Sequence, residues 1–459
     1  MSRKLKPIRD LSADYRSQGQ KMSKTISRFR QILVAVLVMA STLFALNSRV
    51  ASTPQGAGVA TTATRNAAIV AASLAVLKET SELRELSIVR PVKSGAQSRE
   101  DIERMIVRNL DEQTTPAEMH ATEIALKKLG LAPAAFRYRP FIIKLLTEQV
   151  AGYYDPKAQH FYLADWIELE GQKPVMAHEL THALQDQHFN LRRFEKWPSG
   201  DSDAELAAHA LIEGDATLAM TIYMARNPLV ALAFIRSLGS STLASAQFNQ
   251  APRALRESLV FPYEQGSEWA TTLYKRGGWK MVSEAFAKLP LSTEQILHPE
   301  KYFAYEQPVK ISLPDVGPTL GREWRRIDYD VNGEWSYYLI LDQFLAAPAE
   351  SRRAAMGWAG DRYELYEGAR ADQVVIVQLS GWDTENDAIE FYDAYAKRTA
   401  RRYPEAKTVV DRTPQAGNSQ EWQTSEGNVL LERRGDRVLI MEGLPVGVTA
   451  RGVARNIWR

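Results

Sequence analysis

Residues 174–184 read PVMAHELTHAL, a pattern that predicts a helix starting at the proline, with Glu179 as its only Asp, Glu, Lys or Arg. His178 and His182 are four residues apart in this stretch. Because residues at this spacing share one face of a helix, both imidazoles can point to the same metal ion. Imidazole nitrogen is a preferred zinc ligand, and a catalytic zinc keeps one position open for water. Glu179, beside the first histidine, is suited to take a proton from that water.

A third metal ligand is expected on a second helix at residues 203–217, which are rich in alanine and leucine. Glu205, His209 and Glu213 are spaced by four, so they share one face and each could be the ligand. We favour Glu213 because its neighbours are the most apolar, and an unpaired carboxylate is costly there. Glu205 and His209 have the alternative of a solvated face. Gly214, which has no side chain, is expected to permit close approach to the first helix.

The spacing of His178, Glu179 and His182 resembles the HExxH motif of zinc metallopeptidases. With the string EGDA at residues 213–216, it is similar to the gluzincin group, whose third ligand is a glutamate on a second helix. The gap of 30 residues between His182 and Glu213 is longer than is usual in that group. The resemblance implies a zincin-like core, Zn²⁺ as cofactor and hydrolysis of peptide bonds.

Three further segments extend the resemblance beyond the motif. They are GYYDP at 152–156, HELTHALQDQHF at 178–189 and STEQILHP at 292–299. These segments resemble a group of bacterial exported proteins over most of the chain after residue 70, a similarity that implies no particular substrate.

The expected fold class is α+β. We predict a mainly helical, zincin-like metallopeptidase domain at residues 67–345 and a small α+β domain at 346–459. In the first domain, helices are expected at 67–129, at 141–150 and from 204 to about 289, with Ser98 capping one of them. In the second, the pattern predicts strands at 374–377, 429–431 and 438–440, a helix from Thr384, and a short helix after Val448.

Residues 152–163 predict a β-hairpin, because aromatic-rich flanks surround the turn sequence DPKA. In zinc peptidases an edge strand before the metal-binding helix commonly pairs with the substrate main chain. The alternative is a hairpin with a purely structural role.

Two further residues are candidates for the reaction itself. Tyr263 and His298 are polar-tipped side chains in apolar segments, and either could donate a hydrogen bond to a tetrahedral oxyanion. The alternative for each is a hydrogen-bonded residue of the core. Asp186, Asp203 or Asp215 could orient the ligand imidazoles, with solvated carboxylates as the alternative.

The composition limits the chemistry. The chain of 459 residues contains no cysteine, which excludes disulfides, a cysteine nucleophile and cysteine-ligated zinc. A zinc site must therefore consist of histidines and carboxylates. The net charge is +2, yet the first 30 residues hold nine Lys/Arg and two acids, so the remainder is net negative. No basic surface interleaved with aromatic residues is evident, and nucleic acid is not an expected partner.

The N-terminal segment predicts export. A basic stretch at residues 1–31 precedes a 15-residue uncharged, mostly apolar run at 32–46, the pattern of a secretory signal or membrane anchor. The run is shorter than the roughly 20 residues of a spanning helix, and a buried core helix is the alternative. Residues 47–66 are small and polar, as in a linker, and Met22 would give a more typical start. The expected location is the bacterial cell envelope, outside the cytoplasm, either membrane-anchored or secreted.

The sequence therefore predicts an exported or membrane-anchored zinc metallopeptidase that acts on a peptide or protein. His178, His182 and Glu213 would hold Zn²⁺, and Glu179 would be the general base. The main alternative is a non-catalytic envelope protein that uses the same fold for binding or assembly. A weaker alternative is a zinc hydrolase that acts on a non-peptide bond. The sequence does not predict an oligomeric state.

Overall fold

A computed structural model describes residues 62–166, 169–195, 197–198, 200–240, 246–409 and 418–458. The predicted basic segment, the apolar run and most of the linker, at residues 1–61, lie outside the described residues. Within the described ranges no single helix is long and apolar enough to cross a membrane. One helix pair, Ser202–Arg226 with Pro228–Ser237, is sufficiently long and apolar when taken together but is bent by 113°.

The first part of the fold is a layer of helices with a small sheet. Its helices are α1 (Thr62–Arg84), α2 (Arg99–Gln113), α3 (Pro116–Lys128), α4 (Tyr138–Gln149), α5 (Lys173–Phe189), α6 (Ser202–Arg226), α7 (Pro228–Ser240), α8 (Ala246–Asn249), α9 (Arg253–Ala285), α10 (Thr293–Leu297) and α11 (Pro299–Ala304). Its strands are β1 (Lys93–Gln97), β2 (Gly152–Asp155) and β3 (His160–Ala164).

The predicted hairpin is confirmed. Strands β2 and β3 pair antiparallel, and the Asp155 carboxylate accepts hydrogen bonds from the Lys157 and Ala158 N–H groups in the turn. Strand β3 is central in the three-stranded sheet, with β1 parallel on one side and β2 at the opposite edge. Strand β1 interrupts the region that was expected to be helical throughout, and its sequence KSGAQ has no alternating apolar pattern to announce it. The predicted cap at Ser98 is confirmed, since its side chain accepts from the Asp101 N–H.

Helices α5, α6 and α9 form the part of the core that carries the predicted metal ligands. Helix α5 has Pro174 in its first turn and ends at Phe189, and the next residue, its C-cap Asn190, has a left-handed φ of 56°. The Asp201 side chain caps α6 by accepting from the Ala204 N–H. Both helices are buried along most of their length.

A glycine pair lets α6 and α9 cross in close contact. A Cβ atom added to Gly214 would lie 2.2 Å from the carbonyl oxygen of Gly266, and one added to Gly266 would lie 2.2 Å from that of Ala210. The expected role of Gly214 is therefore corrected: it permits approach to α9 and not to the helix with the two histidines. The crossing brings the α9 turn that contains Tyr263 against the turn that contains Glu213.

The second part of the fold is a seven-stranded antiparallel sheet in the order β4-β5-β6-β10-β9-β8-β7. Its strands are β4 (Arg325–Asp330), β5 (Trp358–Glu367), β6 (Val374–Trp382), β7 (Lys407–Val409), β8 (Ser419–Thr424), β9 (Gly427–Arg434) and β10 (Arg437–Leu444). Its helices, with those that connect it to the first part, are α12 (Gly317–Leu320), α13 (Gly333–Leu345), α14 (Pro348–Ala355), α15 (Glu385–Arg402) and α16 (Ala450–Ile457).

The predicted elements of this region are confirmed. Thr384 caps α15 in a capping box with Asp387, and the face that contains Phe391 and Tyr395 is buried. The observed fold class is α+β, as expected. Strand β4 belongs to the same sheet, so the sheet extends N-terminally of the predicted boundary at residue 346. One hydrophobic cluster contains residues from both the helical part and the sheet.

Candidate metal centre

Three side chains bring their ligand atoms together between α5 and α6. Glu213 Oε2 lies 3.1 Å from His178 Nε2 and 3.4 Å from His182 Nε2. The two Nε2 atoms are 3.2 Å apart. Ligand atoms bound to one tetrahedral zinc at ordinary bond lengths are separated by about 3.3 Å. The three side chains are therefore spaced as the ligands of a single metal ion.

The electrostatics of this group favour positive charge at its centre. Burial alone would raise the pKa of Glu213, but His182 and His178 hold that pKa well below its ordinary value. Burial opposes charge on His182, yet Glu213 raises the pKa of that imidazole to about 9. The carboxylate thus remains ionised and stabilises a cation where the three ligand atoms meet.

Glu179 lies beside the ligands with one carboxylate oxygen fixed. The Tyr154 N–H on edge strand β2 donates to Glu179 Oε2 over 3.0 Å. Burial raises the pKa of Glu179, and the neighbouring His178 and His182 partly offset this increase. A carboxylate with a raised pKa next to a metal site is suited to take up and release a proton.

The structure brings Tyr263 into the same group. Its ring stacks on the His178 ring, with centroids 6.0 Å apart and planes inclined by 25°. The negative charge of Glu213, together with burial, raises the pKa of Tyr263 well above its ordinary value. Its hydroxyl therefore keeps its proton at neutral pH and can donate a hydrogen bond.

His298 is held in a different place. Its Nε2 lies 2.9 Å from Glu334 Oε1, and its Nδ1 lies 3.9 Å from Glu300 Oε1. None of the contacts found in the described ranges joins His298 to the three ligands or to Glu179. The structure thus does not bring it into the group, and its role as an oxyanion donor stays a prediction.

Gln185 contacts the His182 imidazole at Nδ1, the ring nitrogen that does not face the other two ligand atoms. This role of Gln185 was not predicted from the sequence. Its Oε1 lies 2.8 Å from His182 Nδ1. Two of the three predicted aspartates bind elsewhere: Asp186 accepts from Arg90 and Tyr154, and Asp203 accepts from Thr293.

Asp215 is the one predicted aspartate that belongs to this network, and it reaches the imidazole only through Gln185. Gln185 could have been noted from the sequence by its position three residues after His182. Nothing local, however, indicates which side-chain partner would orient it.

An acidic cleft of about 500 Å³ reaches Glu213, while neither His178 nor His182 is among its described lining residues. Glu213 is 22% exposed and lines the cleft, whereas the side chains of His178 and His182 are nearly closed off. Glu205 and His209, the two other candidates for the third ligand, line it as well. The six carboxylates of the lining belong to Glu118, Glu195, Glu205, Glu213, Asp328 and Asp330, and no Lys or Arg occurs among its described residues.

Comparison with known proteins assigns no activity to the chain. Residues 321–453 match a family described as a domain of unknown function, DUF8575. The match covers the seven-stranded sheet and none of the side chains of the candidate metal centre. No curated protein and no solved structure matches the chain.

Proposed function

We propose that the chain is a zinc-dependent metallopeptidase with a zincin-like core. His178, His182 and Glu213 would hold Zn²⁺, and Glu179 would be the general base. The observation that carries the proposal is the convergence of three ligand atoms at separations of 3.1–3.4 Å with Glu179 beside them. This set of donors, two imidazoles and one carboxylate, is typical of catalytic zinc sites that keep a position open for water.

Zinc, when bound, would lower the pKa of water and polarise the scissile carbonyl. Glu179 takes the proton of the attacking water and later donates it to the leaving amine. The Tyr154 N–H holds Oε2 of Glu179, so that Oε1 is the oxygen available to the water. Burial raises the pKa of Glu179. Its carboxyl group can therefore hold the proton between uptake from the water and donation to the leaving amine.

Tyr263 would act on the carbonyl oxygen of the substrate, whereas Glu179 acts on the water. Its hydroxyl would donate a hydrogen bond to the negative charge that develops there. The stacking of its ring on His178 and the close crossing at Gly266 fix its position. We expect this contact to act on the rate of the chemical step more than on substrate binding.

The cleft and the edge strand support a peptide substrate with basic side chains. Strand β2 lies at the edge of its sheet, where an extended peptide can pair with its backbone. Burial and the adjacent Asp330 raise the pKa of Asp328, and the same two effects act on Glu205. A Lys or Arg side chain in the cleft would relieve this crowding of carboxylates.

The proposed location is the cell envelope, outside the cytoplasm. It rests on the basic segment at 1–31 and the apolar run at 32–46, which form an export pattern. The competing function is a non-catalytic envelope protein that uses the metal site for binding or assembly.

Glu179→Gln tests the proposal against this competitor. The substitution keeps the size of the side chain but removes the base, so hydrolysis of a peptide library should be lost while bound zinc remains. Glu170→Gln is the matched control: Glu170 is exposed and forms a surface ion pair with Lys173, which contributes little to stability. If the wild-type chain binds zinc but hydrolyses no peptide, the binding function is favoured. If Glu179→Gln retains full activity, Glu179 is not the base.

A further inference from the structure

Behind the metal ligand His182 lies a continuous chain of buried polar contacts. Gln185 Oε1 is 2.8 Å from His182 Nδ1, and Gln185 Nε2 donates to Asp215 Oδ2 over 2.9 Å. Asp215 in turn accepts from Arg84 Nε at 2.6 Å and from Arg84 Nη2 at 3.2 Å. Arg84, Gln185 and Asp215 are each 0% exposed. These contacts connect the last residue of α1 to a metal ligand on α5.

The Gln185 amide can adopt only one orientation here. Its Nε2 group has two protons and donates to two acceptors, Asp215 Oδ2 and the Ile212 carbonyl oxygen at 3.0 Å. Reversing the amide would set its carbonyl oxygen against a carboxylate and a backbone carbonyl, with no proton between them. Oε1, which can only accept, therefore faces His182.

This orientation determines where the His182 ring carries its proton. An acceptor at 2.8 Å from Nδ1 requires that Nδ1 be the donor. A metal ligand must be a neutral imidazole, so a proton on Nδ1 leaves Nε2 with a free electron pair. Nε2 is the atom that faces Glu213 and His178.

The ion pair of Arg84 with Asp215 keeps the amide in place. Asp215 accepts from Gln185 because it is a carboxylate, and Arg84 neutralises a charge that would otherwise be buried without a partner. Arg84 is itself held by Ser283 Oγ at 3.1 Å and lies over the Trp279 ring at 4.5 Å. The charge pair therefore depends on the packing of α1 against α6 and α9.

The other imidazole lacks such support. His178 Nδ1 is buried and has no hydrogen-bond partner among the described residues. The two histidines thus differ in how they are oriented, and His182 is the one whose ring is set by a polar network.

We propose that Gln185 is a positioning residue that fixes the tautomer of His182, and that the buried Arg84–Asp215 pair fixes Gln185. The inference rests on the proposed function in that it takes His182 to be a zinc ligand. It ties the metal site to α1, the first described helix, which begins at Thr62 and so overlaps the end of the predicted linker at 47–66. The network contains no group that touches substrate, so it acts through the ligand alone.

Gln185→Met in the full-length chain is the first test. Methionine has a similar length but neither donates nor accepts in this geometry, so zinc affinity should fall about ten- to a hundred-fold. The matched control is Gln187→Met, two residues further on the same helix. Gln187 also makes three hydrogen bonds, but to the backbone of Val89 and Arg90. Its loss should leave zinc affinity unchanged, as measured on the metal-free protein with a competing chelator.

A double variant provides the rescue. Gln185→Glu alone would set two carboxylates about 2.9 Å apart and should weaken zinc binding. Adding Asp215→Asn exchanges the roles: the new carboxylate accepts from His182 Nδ1, and the new amide bonds both that carboxylate and Arg84. The double variant keeps the total charge but leaves the Ile212 carbonyl oxygen without its donor, so it should recover part, and not all, of the zinc affinity lost in Gln185→Glu. A purely structural role for Gln185 would give no such recovery.

Cobalt provides a readout that does not depend on the stability of the protein. The visible absorption of Co²⁺ in the site should change in Gln185→Met and match wild type in Gln187→Met. Equal zinc affinities and equal spectra in the two methionine variants would overturn the inference. These measurements involve the metal only, so they are independent of peptide hydrolysis. A chain that passes them but cleaves nothing would refute the proposed function alone.

Discussion

Substituting Gly266 by alanine, at a position that touches no metal ligand, should damage the metal site through the helix crossing. The added Cβ would lie 2.2 Å from the Ala210 carbonyl oxygen on α6. An ordinary contact needs about 3.5 Å, so α6 and α9 must separate by about 1 Å. Backbone cannot rotate away as a side chain can, and overpacking of this kind costs about 1–3 kcal/mol or more. The intrinsic helix preference of alanine returns only about 1 kcal/mol.

The same displacement reaches the site. Glu213 lies one turn from Ala210 on α6, and Tyr263 lies one turn from Gly266 on α9. A zinc site tolerates ligand shifts of only about 0.2 Å, so a movement of about 1 Å should also weaken metal binding. The measurements are urea unfolding of the metal-free chain and zinc affinity by chelator competition.

Gly381→Ala is the matched control for this prediction. The same atom is added in strand β6, but its nearest neighbour would be the flexible Ile311 Cδ1 at 3.4 Å. We expect stability and zinc affinity close to wild type there. If Gly266→Ala were as stable as Gly381→Ala and bound zinc equally well, the argument that the glycine pair sets the site geometry would be refuted.

The remaining predictions concern the reaction, the cleft and the second half of the fold. Tyr263→Phe should lower kcat about 10²- to 10³-fold with KM and zinc content unchanged, measured by steady-state kinetics. Glu205→Gln with Asp330→Asn should lower kcat/KM about five- to tenfold for a peptide with Lys or Arg near the cleaved bond, but not for a neutral peptide. Glu442→Gln should destabilise the chain by about 3–5 kcal/mol in urea unfolding, because it leaves the buried Arg398 without its partner. Burial alone would raise the pKa of Glu442, but Arg398 and a second arginine lower it to about 2. Its stabilising contribution should thus be complete above the ordinary pKa near 4.5 and disappear as the pH falls towards 2.

That His178, His182 and Glu213 lie together could be predicted because the information is local or nearly so. His178 and His182 share a helix face by their spacing alone, and Glu213 stood out by its apolar neighbours. Caps such as Ser98 and the α15 face around Phe391 were predictable for the same reason: they depend on a few adjacent residues.

Features that depend on contacts distant in the sequence could not be predicted. Gln185 receives its orientation from Asp215 and Arg84, and Arg84 lies 131 residues before Asp215. The expected close approach at Gly214 is correct, but the expected partner helix is wrong. The actual neighbour, Gly266, lies on a helix whose position no local pattern specifies.

Strands β1 and β4 could not be predicted for the same reason, because they depend on contacts distant in the sequence. Each is short and carries few buried apolar residues, and each becomes a strand because a neighbouring strand pairs with it. Period-two hydrophobicity, the signal used for strands, is absent from β1, and in β4 it is limited to Ile327 and Tyr329.

The most direct test of the metal site is the zinc content of the full-length chain, purified without chelator or added metal and measured by elemental analysis. We predict about one zinc per chain, lost in Glu213→Gln and retained in the matched variant Glu205→Gln, which lines the same cleft. A wild-type chain that contains no zinc and takes up none on titration would contradict the account.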